Sequence, residues 1–455
     1  MSKKQNAFVG PCLPEEVESI NRRQLLLNGA SLTAYMSLPK WLMPGAAWAQ
    51  ESQSYPLQRK LVWINMRGGW DILEVLDPKV SSTSGIDMIY DYNLTNQLTG
   101  GDDNARLGRW LPNMAQIGED LLIIRGLAMG TTSHMAGSIY MDTGILSNTG
   151  RVNSASIPAI VSSEGTNTIP IIQLNGGSDP MTDRGLLKPV SVVRAENLQL
   201  YRSMYPNETE ATQRRLEMLD YIKGSITRLK ESVSPGDLTN DRLASLEAAE
   251  SKIRTQFEGN VGQQLALTQE EISAFQTGAP ANMRNRGMMQ TFALAQKLIT
   301  GDICDCINLG IGGFDTHANQ SNNLQPNLEG VDFVIKRFVD GLRAAGKLDS
   351  TLIVMYSDFG RTPRINNSNG RDHWPVGGAL LIGGGIQGGR AIGGTDDNMR
   401  ALSVNTETGL VDANGEQINP THVGGAVLEL ALGKDYLSYR NYLNSIPALT
   451  RLKTS

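Results

Sequence analysis

Residues 351–374 read TLIVMYSDFGRTPRINNSNGRDHW, and this stretch decides the fold. Leu352, Ile353, Val354, Met355 and Tyr356 make a short, unbroken apolar run rich in β-branched residues, the pattern of a fully buried strand. Polar residues begin abruptly at Ser357 and Asp358. In open α/β sheets, ligands are held beyond the carboxyl ends of the strands, so Asp358, Arg361, Asp372 and His373 stand where a site is expected. Two carboxylates, an imidazole and a guanidinium this close together suit a metal ion and an anionic substrate.

The same strand-then-polar-loop pattern recurs on either side. Lys60 to Met66 (KLVWINM) reads as the first strand, and the turn Arg67-Gly68-Gly69-Trp70-Asp71 follows it. Asp71 there either faces a ligand or bonds its own turn backbone. A helix is expected from Leu107 to Glu119 and a buried strand at Leu121–Ile124, leading into TTSHMAGSIY (131–140), where hydroxyls precede a helix start. Ser133 either caps that helix or lies in its positive end field, which favours an anion and a deprotonated oxygen. The strand Ile303–Leu309 delivers GIGGFDTHANQ (310–320), in which Asp315 and His317 can turn toward one cation. Leu324, Leu328, Val331, Ile335, Phe338, Val339 and Leu342 then repeat at helical spacing as a core stripe. Gly377–Ile382 is a further strand, and the GGGIQGG after it lacks a phosphate-loop lysine and reads as turns. Strands alternating with helices indicate an α/β fold with a largely parallel sheet. Residues from about 150 to 300 read as an insertion, with a short strand at Ile169–Leu174 and charge-alternating helices at 208–232 and 241–257.

The chain has 455 residues, 40% hydrophobic and 19% charged, with a formal net charge of −5, which excludes wholesale disorder and gives no basic footprint for nucleic acid. The 48 glycines concentrate at strand ends, as tight loops around a site require. Residues 1–49 read as an export leader: Arg22 and Arg23 precede a modestly apolar run, and Ala47-Trp48-Ala49 supplies the small-x-small cleavage pattern. The leader resembles a twin-arginine (Tat) signal, so the Tat translocase is an expected partner and the periplasm, or export generally, the expected destination of residues 50–455. No stable membrane span is expected. Cys304 and Cys306, two apart in one strand, read as small buried residues; a redox pair is the lesser alternative.

Four histidines occur: His134, His317, His373 and His422. The first three lie at strand ends or in the loops beyond, beside Asp71, Asp315 and Asp358, and together they point to a metal site. His422 reads as a helix cap. At these residues the chain resembles the DUF1501 proteins, exported bacterial proteins within the alkaline phosphatase/sulfatase-like superfamily. The matching pieces are RGGWD (67–71), SHMAGSIYMDTG (133–144), GGFDTHANQ (312–320), SDFGRTPRINN (357–367) and DHWPVGGALLIGGGIQGG (372–389), in family order.

The resemblance implies an alkaline-phosphatase-like central, mainly parallel sheet flanked by helices, with divalent metal ions (Zn, Ca, Mg or Mn) at the strand ends. It implies that Asp71 and Asp358 hold one metal and that Asp315, His317 and His373 hold the other. Ser133 is then the nucleophile and Arg361 the clamp on a phosphoryl or sulfuryl oxygen, with His134 and Asp372 as further ligands or supports. The chain also departs from the superfamily. Asp358 is followed by Phe359 where an adjacent histidine is usual, so His134 substitutes or the second site is weak or empty. Ile72-Leu73-Glu74 stands where Gly-Leu-Asn is usual, and the sulfatase Cys/Ser-x-Pro-x-Arg pattern is missing. The function expected is an exported metal-dependent hydrolase of a phosphate or sulfate ester. The alternative is a non-catalytic periplasmic binding or assembly protein that keeps the fold and works with another exported protein.

Overall fold

Lys60–Met66 forms strand β1, Leu121–Ala128 β2, His134–Thr143 helix α1 and Ile157–Ser163 α2. Ile169–Leu174 (β3), Val192–Arg194 (β4), Glu208–Ser232 (α3), Gln269–Gln276 (α4) and Gly287–Thr300 (α5) follow. The remainder supplies Cys304–Ile311 (β5), Gln320–Ala344 (α6), Thr351–Tyr356 (β6), Val376–Gly383 (β7), Arg390–Gly393 (β8) and Pro420–Leu432 (α7). This computed structural model describes residues 57–433, apart from 81–84, 148–154, 168, 177–191, 195–207, 233–242, 285 and much of 244–265. The expected leader with Arg22 and Arg23, and most of the helix expected over 241–257, lie outside the described residues.

The eight strands form one sheet in the order β8-β2-β7-β6-β1-β5-β3-β4. Seven run in one direction, and β7 alone is antiparallel to both its neighbours, β2 and β6. The cause is the connection. No helix lies between β6 and β7, so the chain turns over at the carboxyl end of β6 through residues 357–375 and comes straight back down. His373, just ahead of β7, is thereby delivered to the end of the sheet where β6 stops.

Alternate residues of each strand feed opposite faces. Val62, Ile64, Ile307, Ile353 and Leu380 pack with Phe292 of α5 and Leu328, Val331 and Phe338 of α6. Leu61, Trp63, Val354 and Leu381 pack with Ile157 and Val161 of α2 and Val423 and Val427 of α7. Each fully buried side chain of this size contributes roughly 1.5 to 3 kcal/mol.

Two expectations are refined, and that for the two cysteines holds. Where a helix is expected over 107–119, Arg106–Leu107 pairs with Asn96–Gln97, Pro112–Ala115 makes one α-helical turn and Gly118–Asp120 a 3-10 turn. Pro112 fits only the first turn of a helix, having no N–H to donate. The region expected as an insertion supplies β3 and β4 to the central sheet, and α5 to its core. Cys304 and Cys306 are free and buried, and burial pushes the Cys304 thiol up to about 12, which leaves it inert. Among the described residues, no helix is long and apolar enough to cross a membrane.

Candidate metal centre

Four chain segments meet at the carboxyl ends of the strands: the turn after β1, the start of α1, and the loops after β5 and β6. Two glycines allow the approach. A Cβ on Gly137 would lie 2.0 Å from the Asp358 carbonyl oxygen, so the first turn of α1 rests directly on the loop after β6. Gly68, at φ +113°, adopts a backbone that side-chain-bearing residues avoid, and a Cβ there would lie 2.5 Å from the Asp315 nitrogen.

These contacts bring three imidazoles to one carboxylate. His317 Nε2 lies 3.1 Å from Asp315 Oδ1, and His134 Nε2 and His373 Nε2 each lie 3.7 Å from it. His317 Nε2 and His373 Nε2 are 2.9 Å apart. The other nitrogen of each ring is engaged behind the cluster. His134 Nδ1 makes a short hydrogen bond to Asp358 Oδ2, His317 Nδ1 bonds Asp372 Oδ1 at 2.8 Å, and His373 Nδ1 bonds the Thr132 carbonyl at 2.9 Å. All three partners are acceptors, so each Nδ1 carries a proton and each Nε2 is turned to the centre. Two ring nitrogens 2.9 Å apart need a proton or a metal cation between them. His134, Asp315 and His373 each offer one ligand atom within 4.8 Å of the other two, and His317 Nε2 stands 2.9 Å from His373 Nε2 and 3.1 Å from Asp315 Oδ1. The residues fit a bound cation.

The electrostatics follow from the same contacts. The Asp358 hydrogen bond raises the His134 imidazole against the effect of burial, whereas burial lowers His373. Burial works against ionisation of Asp358 and Asp315, yet the His134 bond holds the first, and the Arg361 bond the second, below the usual carboxylate range. The His317 bond also holds Asp372 down.

Asp315, His317, His373 and His134 therefore converge, and Asp358 and Asp372 support them from behind. Two expected residues are placed otherwise. Asp71 is not in the cluster: its Oδ1 accepts from the Leu73 amide at 3.0 Å, and its Oδ2 is ion-paired with Arg371 at 2.9 Å and accepts from Gln320. The fully buried Arg371 guanidinium needs a counter-charge and draws the carboxylate into the core. Arg361 is not open to a substrate either. Its side chain is fully buried and donates to the carbonyls of Gly69 (2.9 Å), Arg371 (3.0 Å) and Gly68, and to Asp315 Oδ1 at 2.5 Å. It is the internal partner of Asp315. Ser133 is exposed at the N-cap of α1, where its Oγ accepts from the Ala136 amide at 3.5 Å. His422 caps α7, its Nδ1 accepting from the Asn419 amide.

Sequence reasoning missed Arg371, Gln320, Thr132 and Arg67. The first three act through contacts between distant segments, which no local pattern encodes. Arg67 had a signal, since it directly follows β1. It is exposed, its Nη1 lies 3.1 Å from where a Gly176 Cβ would be, and among the described residues no hydrogen bond or ion pair holds its side chain.

Fold and site together define an α/β protein with a candidate cation centre at the carboxyl ends of a mainly parallel sheet. Residues 58–408 match the family described as "Protein of unknown function (DUF1501)", and the chain belongs to it. No curated protein matches the chain. Solved structures similar to it include a protein in the alkaline phosphatase superfamily from Vibrio parahaemolyticus, with 10% identity, 90% of this chain and 75% of that one covered, and a TM-score of 0.36. The PsFucS1 sulfatase from Pseudoalteromonas sp. matches with 12% identity over 90% of this chain and 78% of its own, at a TM-score of 0.32. A mutant of TAB5 alkaline phosphatase with Mg bound in its M3 site matches with 12% identity over 72% and 91%, at 0.29. Scores this low leave the chemistry to be argued from the chain's own residues.

Proposed function

We propose that this chain is an exported, metal-dependent hydrolase of a phosphate or sulfate ester. One observation carries the reading: the Nε2 atoms of three histidines converge on Asp315 Oδ1, and the exposed Ser133, next in the chain to His134, caps the helix start. A divalent cation bound there supplies Lewis-acid neutralisation of the charge that builds on the ester oxygens. The chain's own residues supply the rest. Ser133 offers its hydroxyl for in-line displacement at phosphorus or sulfur. The positive end of the α1 dipole favours an anion at that position. The exposed Arg67 guanidinium suits a further anionic oxygen, the role expected of Arg361. Thr132 ties the Ser133 turn to His373, so the hydroxyl and the imidazole keep their relative placement. Export through the Tat translocase is consistent with loading the cation into the folded chain before it crosses.

The test uses purified protein assayed on phosphate and sulfate mono- and diesters. Chelation is expected to abolish hydrolysis and metal to restore it. Ser133→Ala is expected to lower turnover by on the order of 10³-fold or more while leaving metal content unchanged. Metal-loaded protein that turns over none of these esters overturns the proposal in favour of the non-catalytic binding or assembly protein.

A further inference from the structure

We infer that the centre takes a single cation of the zinc class, on His134, His317, His373 and Asp315, and that Asp358 acts as a positioning residue for His134 and not as a ligand. The inference deepens the proposed function; it rests on the cation-binding part of that proposal and needs no turnover.

The two-cation arrangement implied by the resemblance requires Asp71 and Asp358 to offer free oxygens to a second ion. Neither does. Asp358 Oδ1 accepts from the amides of Gly68 and Gly69 at 3.1 Å each, and Oδ2 is bonded to His134 Nδ1. Asp71 divides its oxygens between helix-capping amides and Arg371 with Gln320. Asp71 is thus neutralised by Arg371, and both oxygens of Asp358 are taken up by hydrogen bonds within the protein.

Asp358 instead completes a carboxylate–imidazole pair. A carboxylate behind a metal-binding histidine fixes the tautomer, orients the ring and raises its basicity. His317 has the same support from Asp372, and His373 a weaker version from the Thr132 carbonyl. The donor set, three imidazoles and one carboxylate, suits zinc or a similar transition ion, whereas magnesium and calcium favour oxygen.

The test starts from metal-free, full-length protein titrated calorimetrically with zinc chloride, with bound zinc counted by elemental analysis. One equivalent per chain is expected. Two tight equivalents overturn the single-cation inference but leave the hydrolase reading standing; none overturns both. A roughly hundredfold excess of magnesium or calcium is expected to leave the zinc isotherm unchanged, and displacement by either overturns the metal class.

The role of Asp358 is decided by a pairwise comparison. In Asp358→Asn the amide keeps an oxygen for Gly68 and Gly69 but turns an N–H toward His134, which forces the proton onto Nε2 and removes that lone pair. Zinc affinity is expected to fall 10- to 100-fold at unchanged stoichiometry. His134→Ala is expected to lose as much, and the double variant no more than His134→Ala alone, because Asp358 works through His134. A double variant tenfold or more weaker than His134→Ala makes Asp358 an independent ligand and overturns the assignment. Far-UV circular dichroism checks that the variants fold. If Asp358→Asn does not, His134→Ala decides alone, since undiminished zinc affinity removes His134 from the donor set.

Discussion

At the scale of single residues, a buried cation determines which carboxylate stays inside the fold. Arg371 lies 2.9 Å from Asp71 and 2.8 Å from Glu74, with all three side chains fully buried. One guanidinium cannot neutralise two carboxylates. Burial first, and the charge of Asp71 second, push the Glu74 carboxyl up to about 8, and among the described residues its Oε2 has no hydrogen-bond partner. Because this value lies above the ordinary 4.5, the folded state holds the proton more tightly than the unfolded chain does. Stability therefore falls as pH rises between those two values. Glu74→Gln, which carries no charge, is expected to lose this pH dependence: it should match the wild type at pH 4 and melt higher at pH 8. Thermal melts at stepped pH check this, and parallel profiles would contradict it. Asp71 and Asp315 look alike in the sequence, each a carboxylate on a glycine turn after a strand. Only the position of Arg371, from a distant segment, separates the core residue from the site residue. His317 and His373 were legible because a strand end fixes where the following residues emerge.

At the scale of elements, α1 is held by what it lacks. Alanine is favoured over glycine inside a helix by about 1 kcal/mol, yet Gly137 faces the Asp358 carbonyl with no room for a methyl group. Gly137→Ala is expected to destabilise the protein by about 1 to 3 kcal/mol through overpacking. It should also weaken zinc binding by lifting His134 from Asp358. Thermal melting and calorimetry read the two effects; a raised melting temperature would show helix propensity winning. The start of α1 was readable from Ser133 and the residues after it. Its contact partner was not, because helical periodicity describes a face and not what that face meets. The reversal of β7 was hidden similarly, since an apolar run reads the same in either direction, although the missing helix after Tyr356 was a usable sign.

At the scale of the whole molecule, the centre draws on residues from His134 to His373 and so depends on the entire sheet. Zinc that binds only the folded chain stabilises it by about 4 kcal/mol at a thousandfold excess over its dissociation constant. The melting temperature is expected to rise on zinc addition in the wild type and in Ser133→Ala, but by much less in His373→Ala. An equal rise in all three would place the zinc elsewhere. The reversed strand gives the centre a mechanical anchor. Trp374 Nε1 is tied to the Met399 carbonyl at 2.7 Å, Met129 donates to the Pro375 carbonyl at 3.0 Å, and the buried strand begins at Val376. His373 is thus a ring on a short leash, with no slack between it and the middle of the sheet. His317 is tethered too, its carbonyl accepting from Asn366 Nδ2 at 3.0 Å and the Arg371 amide reaching the Thr316 carbonyl at 3.0 Å. An ion of the wrong radius should therefore meet two rings that cannot follow it, and bind weakly instead of being accommodated.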